Sequence, residues 1–236
     1  MVSKAKSGQA EDFRVRVARE RRDRMRHRLR KAVVATCAAQ MREDLPTVED
    51  VILEAKVSRA TFYKYFNSVE EVVGIVGHIL LEDIMKDLKQ LCTDNDSPIA
   101  RLTMMIQLFT FRSLIDKPWA AFVFRTAHMA RETLLQEFVN DQLKAARQAG
   151  LMKFHNVQSA VSLLIGSIME AIWFISRADD PSRDYCEELF ALILRGLGIK
   201  EDMIANIVQD RAIYVRGLAP DKFTWWRDPW ATNRVE

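Results

Sequence analysis

Apolar residues recur along most of this chain at three- and four-residue spacing, the period that places one stripe of side chains on one face of an α-helix. Leu29, Val33, Val34, Cys37 and Met41 form the first stripe and predict a helix over 24–41. Leu45-Pro46-Thr47 ends it. Thr47, with Asp50 three residues on, opens a second helix that runs to Ala55 and buries Val51, Ile52 and Ala55. Lys56-Val57 forms a turn, and Ser58 caps a short third helix over 59–66 with Phe62 and Phe66 facing inward. A fourth helix, 68–91, carries Val72, Val73, Val76, Ile84, Leu88 and Leu91 and spans more than about 30 Å. Beyond the polar loop 93–98, further stripes predict helices over 99–115, 118–129, 131–149, 157–177, 182–197 and 201–214. With only 8 Gly and 6 Pro among 236 residues, the fold class is all-α with short connections.

This pattern divides the chain into a basic, flexible arm (1–23), a three-helix domain containing a helix-turn-helix (24–68), a linking helix (69–92), a second helical domain (93–216) and a tail (217–236). Charge sharpens the division. Residues 1–71 carry 16 Lys and Arg against 11 Asp and Glu, whereas the remainder carries 19 against 21. Nine arginines lie between Arg14 and Arg30, interrupted by the acids Glu20 and Asp23. A basic arm directly before a helix-turn-helix fits a polyanion: each phosphate neutralised releases counterions and gives strong, salt-sensitive, sequence-blind affinity. The third helix turns Arg59, Ala60, Thr61, Tyr63, Lys64 and Tyr65 outward, residue types that contact phosphates and base edges.

Other chemistry finds little support. Cys37, Cys92 and Cys186 are odd in number and far apart, as reduced core thiols of a cytoplasmic protein would be. No run of 18 apolar residues exists and no apolar segment follows the polar start, so neither a membrane span nor a secretory signal is indicated. His27, His78, His128 and His155 lack metal-ligand spacing, and Gly166-Ser167 lacks the glycines of a nucleophile elbow. No metal site, cofactor or enzymatic activity is expected.

Thr47, Val51, Ala55, Val57, Ser58, Thr61, Phe62, Tyr63, Tyr65 and Phe66 stand in one register, and in that register the chain resembles the DNA-binding domain of TetR-family transcriptional repressors. The resemblance covers about residues 24–75 in motif; farther on, length and helical layout agree with the family. It implies a homodimer that binds a two-fold symmetric double-stranded DNA operator and is released by a small-molecule effector. Arg59, Ala60, Tyr63 and Lys64 would face the major groove with Glu49 at its edge. Thr47, Ser58, Thr61 and Tyr65, with Arg21, Arg22 and Arg24 of the arm, would hold phosphates or the minor groove. Two positions depart from the family: its turn glycine is Lys56, and its phosphate-binding lysine is Val69.

The second domain is dense in methionine and aromatic residues, an adaptable interior suited to an apolar or aromatic ligand, and the family binds effectors there. Met104, Met105, Gln107, Phe109, Phe122, Arg125, His128, Met129, Met169, Glu170 and Trp173 are the candidate pocket residues. The last two main helices would form a four-helix bundle across the dimer axis through Val161, Leu164, Ile165, Ile168, Ile172, Leu189, Leu192, Ile193 and Gly196. The tail holds three of the five tryptophans and is expected to pack on the second domain or on the dimer partner. The competing reading is a helical ligand-binding or scaffold protein whose basic arm meets RNA or membrane.

Overall fold

The computed structural model describes residues 4–39, 44–126 and 134–231, with side chains from Phe13 onward except Arg14. Among these residues the chain forms ten helices: α1 (Lys4–Ala39), α2 (Val48–Ala55), α3 (Arg59–Tyr65), α4 (Val69–Leu91), α5 (Pro98–Ile115), α6 (Lys117–Thr126), α7 (Leu134–Gln148), α8 (Val157–Arg177), α9 (Arg183–Gly196) and α10 (Glu201–Lys222). They gather into two units, Met1–Val76 and Gly77–Glu236.

The first unit differs from expectation at its start. The helix predicted from Arg24 begins at Lys4, so the expected flexible arm is helical over its described length. Residues 4–39 hold no proline, a single glycine at Gly8 and many strong helix formers, so nothing in the local sequence stops the helix. From Phe13 to Arg28 no described side chain is buried; packing begins at Leu29 and continues through Ala32, Val33, Thr36 and Cys37. The predicted end at Met41 lies outside the described residues. Helix α1 packs on α2, and α2 on α3. Phe62 and Phe66 fill the space between them, with ring centroids 6.3 Å apart.

Helix α4 starts at a reciprocal cap: Ser68 Oγ accepts the Glu71 N–H at 3.2 Å, while Glu71 Oε2 accepts the Asn67 N–H at 2.7 Å. Its residues to Val76 belong to the first unit, where Val69, Val72, Val73 and Val76 are buried. Its later residues Ile84, Leu88 and Leu91 join the core of the second.

That second core is built around α5, which touches α6, α7, α8, α9 and α10. A helix surrounded on all sides must be apolar all round, and from Ile99 to Phe111 only Arg101 is not fully buried. Three polar exceptions are satisfied locally: Thr103, Thr110 and Ser113 each donate to the carbonyl four residues back, at 2.8–2.9 Å. Helix α8 has the length and composition of a membrane span, but its apolar face packs against α5, α6 and α7. Gly198, at φ 75°, closes the α9–α10 corner; a Cβ there would lie 2.4 Å from the Lys153 carbonyl oxygen.

Helix α10 continues to Lys222, past the predicted end at Tyr214 and through Gly217 and Pro220. The buried series Ile204, Val208, Val215 and Ala219 explains this, because the packing stripe runs on where the local residues signal a stop. The tail then folds over α5. Trp226 and Trp230 each meet Phe111 edge-on, at 5.6 and 5.1 Å, and Trp225 donates its indole N–H to Asp87 Oδ2 at 2.7 Å. The tail tryptophans therefore pack on the second helical unit of their own chain. Residues 232–236 lie outside the described part.

Candidate nucleic-acid interface

Two caps and one left-handed residue set the surface presented by α2 and α3. Asp50 Oδ2 accepts the Thr47 N–H at 2.8 Å, and Thr47 Oγ1 accepts the Asp50 N–H at 3.2 Å, which fixes the start of α2. Lys56 follows α2 at φ 52° and ψ 53°. The reversal is closed by the Lys56 N–H on Leu53 O and the Val57 N–H on Ile52 O, at 3.2 and 3.1 Å. Ser58 Oγ then accepts the Thr61 N–H at 3.1 Å and starts α3. With Phe62 and Phe66 inward, Arg59, Ala60, Tyr63 and Lys64 are exposed, and Thr61 and Tyr65 are half-buried. Sequence and structure therefore agree on which side of α3 faces out.

Arg59 is the most organised of these side chains. Its Nη1 forms an ion pair with Glu49 Oε1 on α2, and its guanidinium lies 5.7 Å from the Tyr63 ring centroid. The Tyr63 hydrogen bond first, and the Glu49 charge second, hold the guanidinium above its ordinary pKa, so it remains a cation. Thr47, Ser58 and Thr61 already use their hydroxyls in caps: Thr47 Oγ1 also donates to Asp50 Oδ2 at 2.8 Å, and Ser58 Oγ lies 2.9 Å from Thr61 Oγ1.

Arg21, Arg22 and Arg24 are exposed on α1, as are Arg16, Arg19, Arg26 and Arg28. Arg28 has a role that charge counting did not reveal. Its Nη2 reaches the Lys56 carbonyl at 3.4 Å and braces the turn. Val69 is buried, with 4% exposure, so this position offers no side chain to a phosphate.

The second candidate site is less coherent. Met104, Met105, Gln107, Phe109 and Phe122 are fully buried. Arg125, Met169 and Trp173 are half-buried and Glu170 is exposed, while His128 and Met129 lie outside the described residues. Gln107 donates to the Val208 carbonyl at 2.8 Å, and its Oε1 is buried without a hydrogen-bond partner. A cleft of about 240 Å³ lies elsewhere, between α4, α5, α6 and the tail, lined by Asp83, Asp87, Gln90, Arg112, Trp119 and Trp225 among others. None of the pocket residues named from the sequence lines it. Arg112 already stacks 4.5 Å from the Trp225 centroid and pairs with Asp116 at 2.9 Å.

The expected dimer residues divide in the same way. Val161, Leu164, Ile168, Ile172 and Ile193 are at most 5% exposed and belong to the chain's own core, so they are removed from the interface set. Ile165 and Leu189 are half-buried, and Leu192 and Gly196 are exposed. Leu163 and Phe174, not named from the sequence, stand exposed on the same side of α8 as Gly166.

No protein-family model and no curated protein matches this chain, but solved structures do. RolR in complex with resorcinol is 22% identical, with 80% of this chain and 95% of that one covered and a TM-score of 0.61. A γ-butyrolactone receptor, an ArpA-like protein, is 14% identical over 83% and 99% of the two chains, again with a TM-score of 0.61. A bacterial regulatory protein of the TetR family from Rhodococcus RHA1 is 15% identical over 75% and 98%, with a TM-score of 0.56. The likeness establishes the fold: this all-α chain has the fold of TetR-family regulators.

Proposed function

We propose that this chain is a homodimeric, effector-responsive, sequence-specific DNA-binding regulator of transcription that acts as a repressor. The observation that carries this reading is the outward face of α3. Arg59, Tyr63 and Lys64 stand on a short helix held clear of the core by two caps and a left-handed turn, beside an arginine-covered α1. Such a helix fits the major groove, and such a flank fits phosphates. Sequence-specific duplex binding, measured by selecting sites from a random DNA pool, tests it. Recovery of a two-fold symmetric site is the expected result; binding without sequence preference returns the basic flank to the RNA or membrane reading.

Two recognition helices entering successive grooves need a dimer about 34 Å between half-site centres. Leu163 (42% exposed), Phe174 (38%) and Leu192 (51%) offer apolar area for it on α8 and α9. A Cβ at Gly166, on the same side, would have no neighbour within 4 Å, leaving room for a second helix to approach closely. The effector site would lie in the second unit near α5, where Gln107, whose amide donates to the Val208 carbonyl of α10, keeps a buried acceptor without a partner. A small aromatic effector agrees with the methionine and aromatic lining and with the resorcinol carried by RolR. Helix α4 runs unbroken through the boundary at Val76 and supplies a continuous path for the response.

A further inference from the structure

We propose that Glu49 is a positioning residue for Arg59, and that the restrained pair reads one guanine of the operator. The inference rests on the reading of this chain as a DNA-binding regulator and adds what the two side chains do together. An arginine at the first position of an exposed helix ordinarily samples many rotamers, and holding it in one before binding reduces the ordering that recognition requires. Arg59 is held on two sides. Glu49 Oε1 takes Nη1, and the Tyr63 ring lies 5.7 Å from the guanidinium carbon. Glu49 and Tyr63 together engage only part of the five-donor guanidinium fork, and a parallel pair of its donors matches the O6 and N7 acceptors of guanine.

Glu49 would be out of place near DNA without this partner, because a bare carboxylate repels the phosphate backbone. Its position in the first turn of α2 explains part of its presence through the helix dipole. The dipole does not explain why the carboxylate also meets the first residue of α3. Glu49 and Arg59 are both well exposed, with 59% and 62% of their side-chain surface accessible, so either can be substituted without opening the core.

The full-length protein is assayed on the duplex that it selects from a random pool, and on every single base-pair substitution of that duplex. Wild type is compared with Arg59→Ala, Glu49→Ala, Glu49→Gln and the double alanine variant. Arg59→Ala is expected to abolish a discrimination of about tenfold at one G·C pair. Glu49→Ala should weaken discrimination several-fold at that same pair, Glu49→Gln should restore part of it, and the double variant should match Arg59→Ala alone. Discrimination unaffected by Glu49→Ala, additive with Arg59→Ala, or lost at a different base pair overturns the proposal while leaving the regulator reading intact. Failure of the wild type to select any sequence overturns both.

Discussion

A single lysine stands where backbone geometry asks for glycine. Lys56 lies at φ 52° and ψ 53°, a region in which a Cβ crowds the following carbonyl and costs roughly 1 kcal/mol relative to glycine. The turn persists because neighbours hold it: the Val57 N–H on Ile52 O at 3.1 Å, and Arg28 reaching over from α1 to the Lys56 carbonyl. Lys56→Gly is therefore expected to raise the free energy of unfolding by about 1 kcal/mol. In urea this appears as a higher midpoint with an unchanged slope. A lower midpoint would mean that the lysine side chain contributes more than its backbone takes away. Val69 carries the complementary lesson. The sequence names the missing lysine, and the structure adds that a lysine there would have to enter the core.

At the scale of the helix, legibility followed caps and failed where a stripe was too wide or packing overrode a break. Thr47, Ser58, Ser97 and Ser182 all cap helices, which is why α2, α3, α5 and α9 begin within a residue of their predicted starts. The faces of α8 were not legible because Leu163, Leu164 and Ile165 are consecutive and all apolar; only packing decides that Leu164 turns inward and Leu163 outward. The same holds for Leu192 and Ile193 on α9. Those two adjacent residues separate the proposed interface from the core. Leu192→Glu is expected to yield a folded monomer by sedimentation, with little change in the melting temperature of the monomeric unit. Ile193→Glu buries an unpaired charge and should cost several kcal/mol, seen as loss of the cooperative melt. If Leu192→Glu stays dimeric, the exposed side of α8 and α9 is not the interface. Helix α1 carries its own prediction. Arg22→Ala should weaken binding equally on selected and random duplex, and should flatten the plot of log affinity against log salt by about 1. A loss confined to the selected site would place Arg22 among the base readers.

Across the second unit, the tail ties distant parts of the chain together, and the tie includes a carboxylate under strain. Trp226 packs on Phe111, Asp228 pairs with Arg216 on α10, and Trp225 meets Asp87 on α4. Trp226→Ala should cost about 3–5 kcal/mol, the usual range for removing a buried tryptophan, measured by chemical denaturation. Asp87 behaves differently because the same packing that holds it also takes it out of water. Burial raises its pKa above the ordinary 3.8, and the Trp225 hydrogen bond and the Arg112 charge pull it down without prevailing. A carboxyl with a raised folded pKa binds its proton more tightly in the native state than in the unfolded chain. Its contribution to stability is fully present below the unfolded pKa and is lost as pH rises through the folded one. Asp87→Asn keeps an oxygen for the Trp225 indole and cannot ionise. The stability of the variant relative to wild type should therefore improve as pH rises from about 3 toward neutrality, with unfolding followed in urea at each pH. A difference that stays flat, or one that favours wild type increasingly as pH rises, would show that Arg112 and Trp225 outweigh burial and that the ionised carboxylate is the stabilising form.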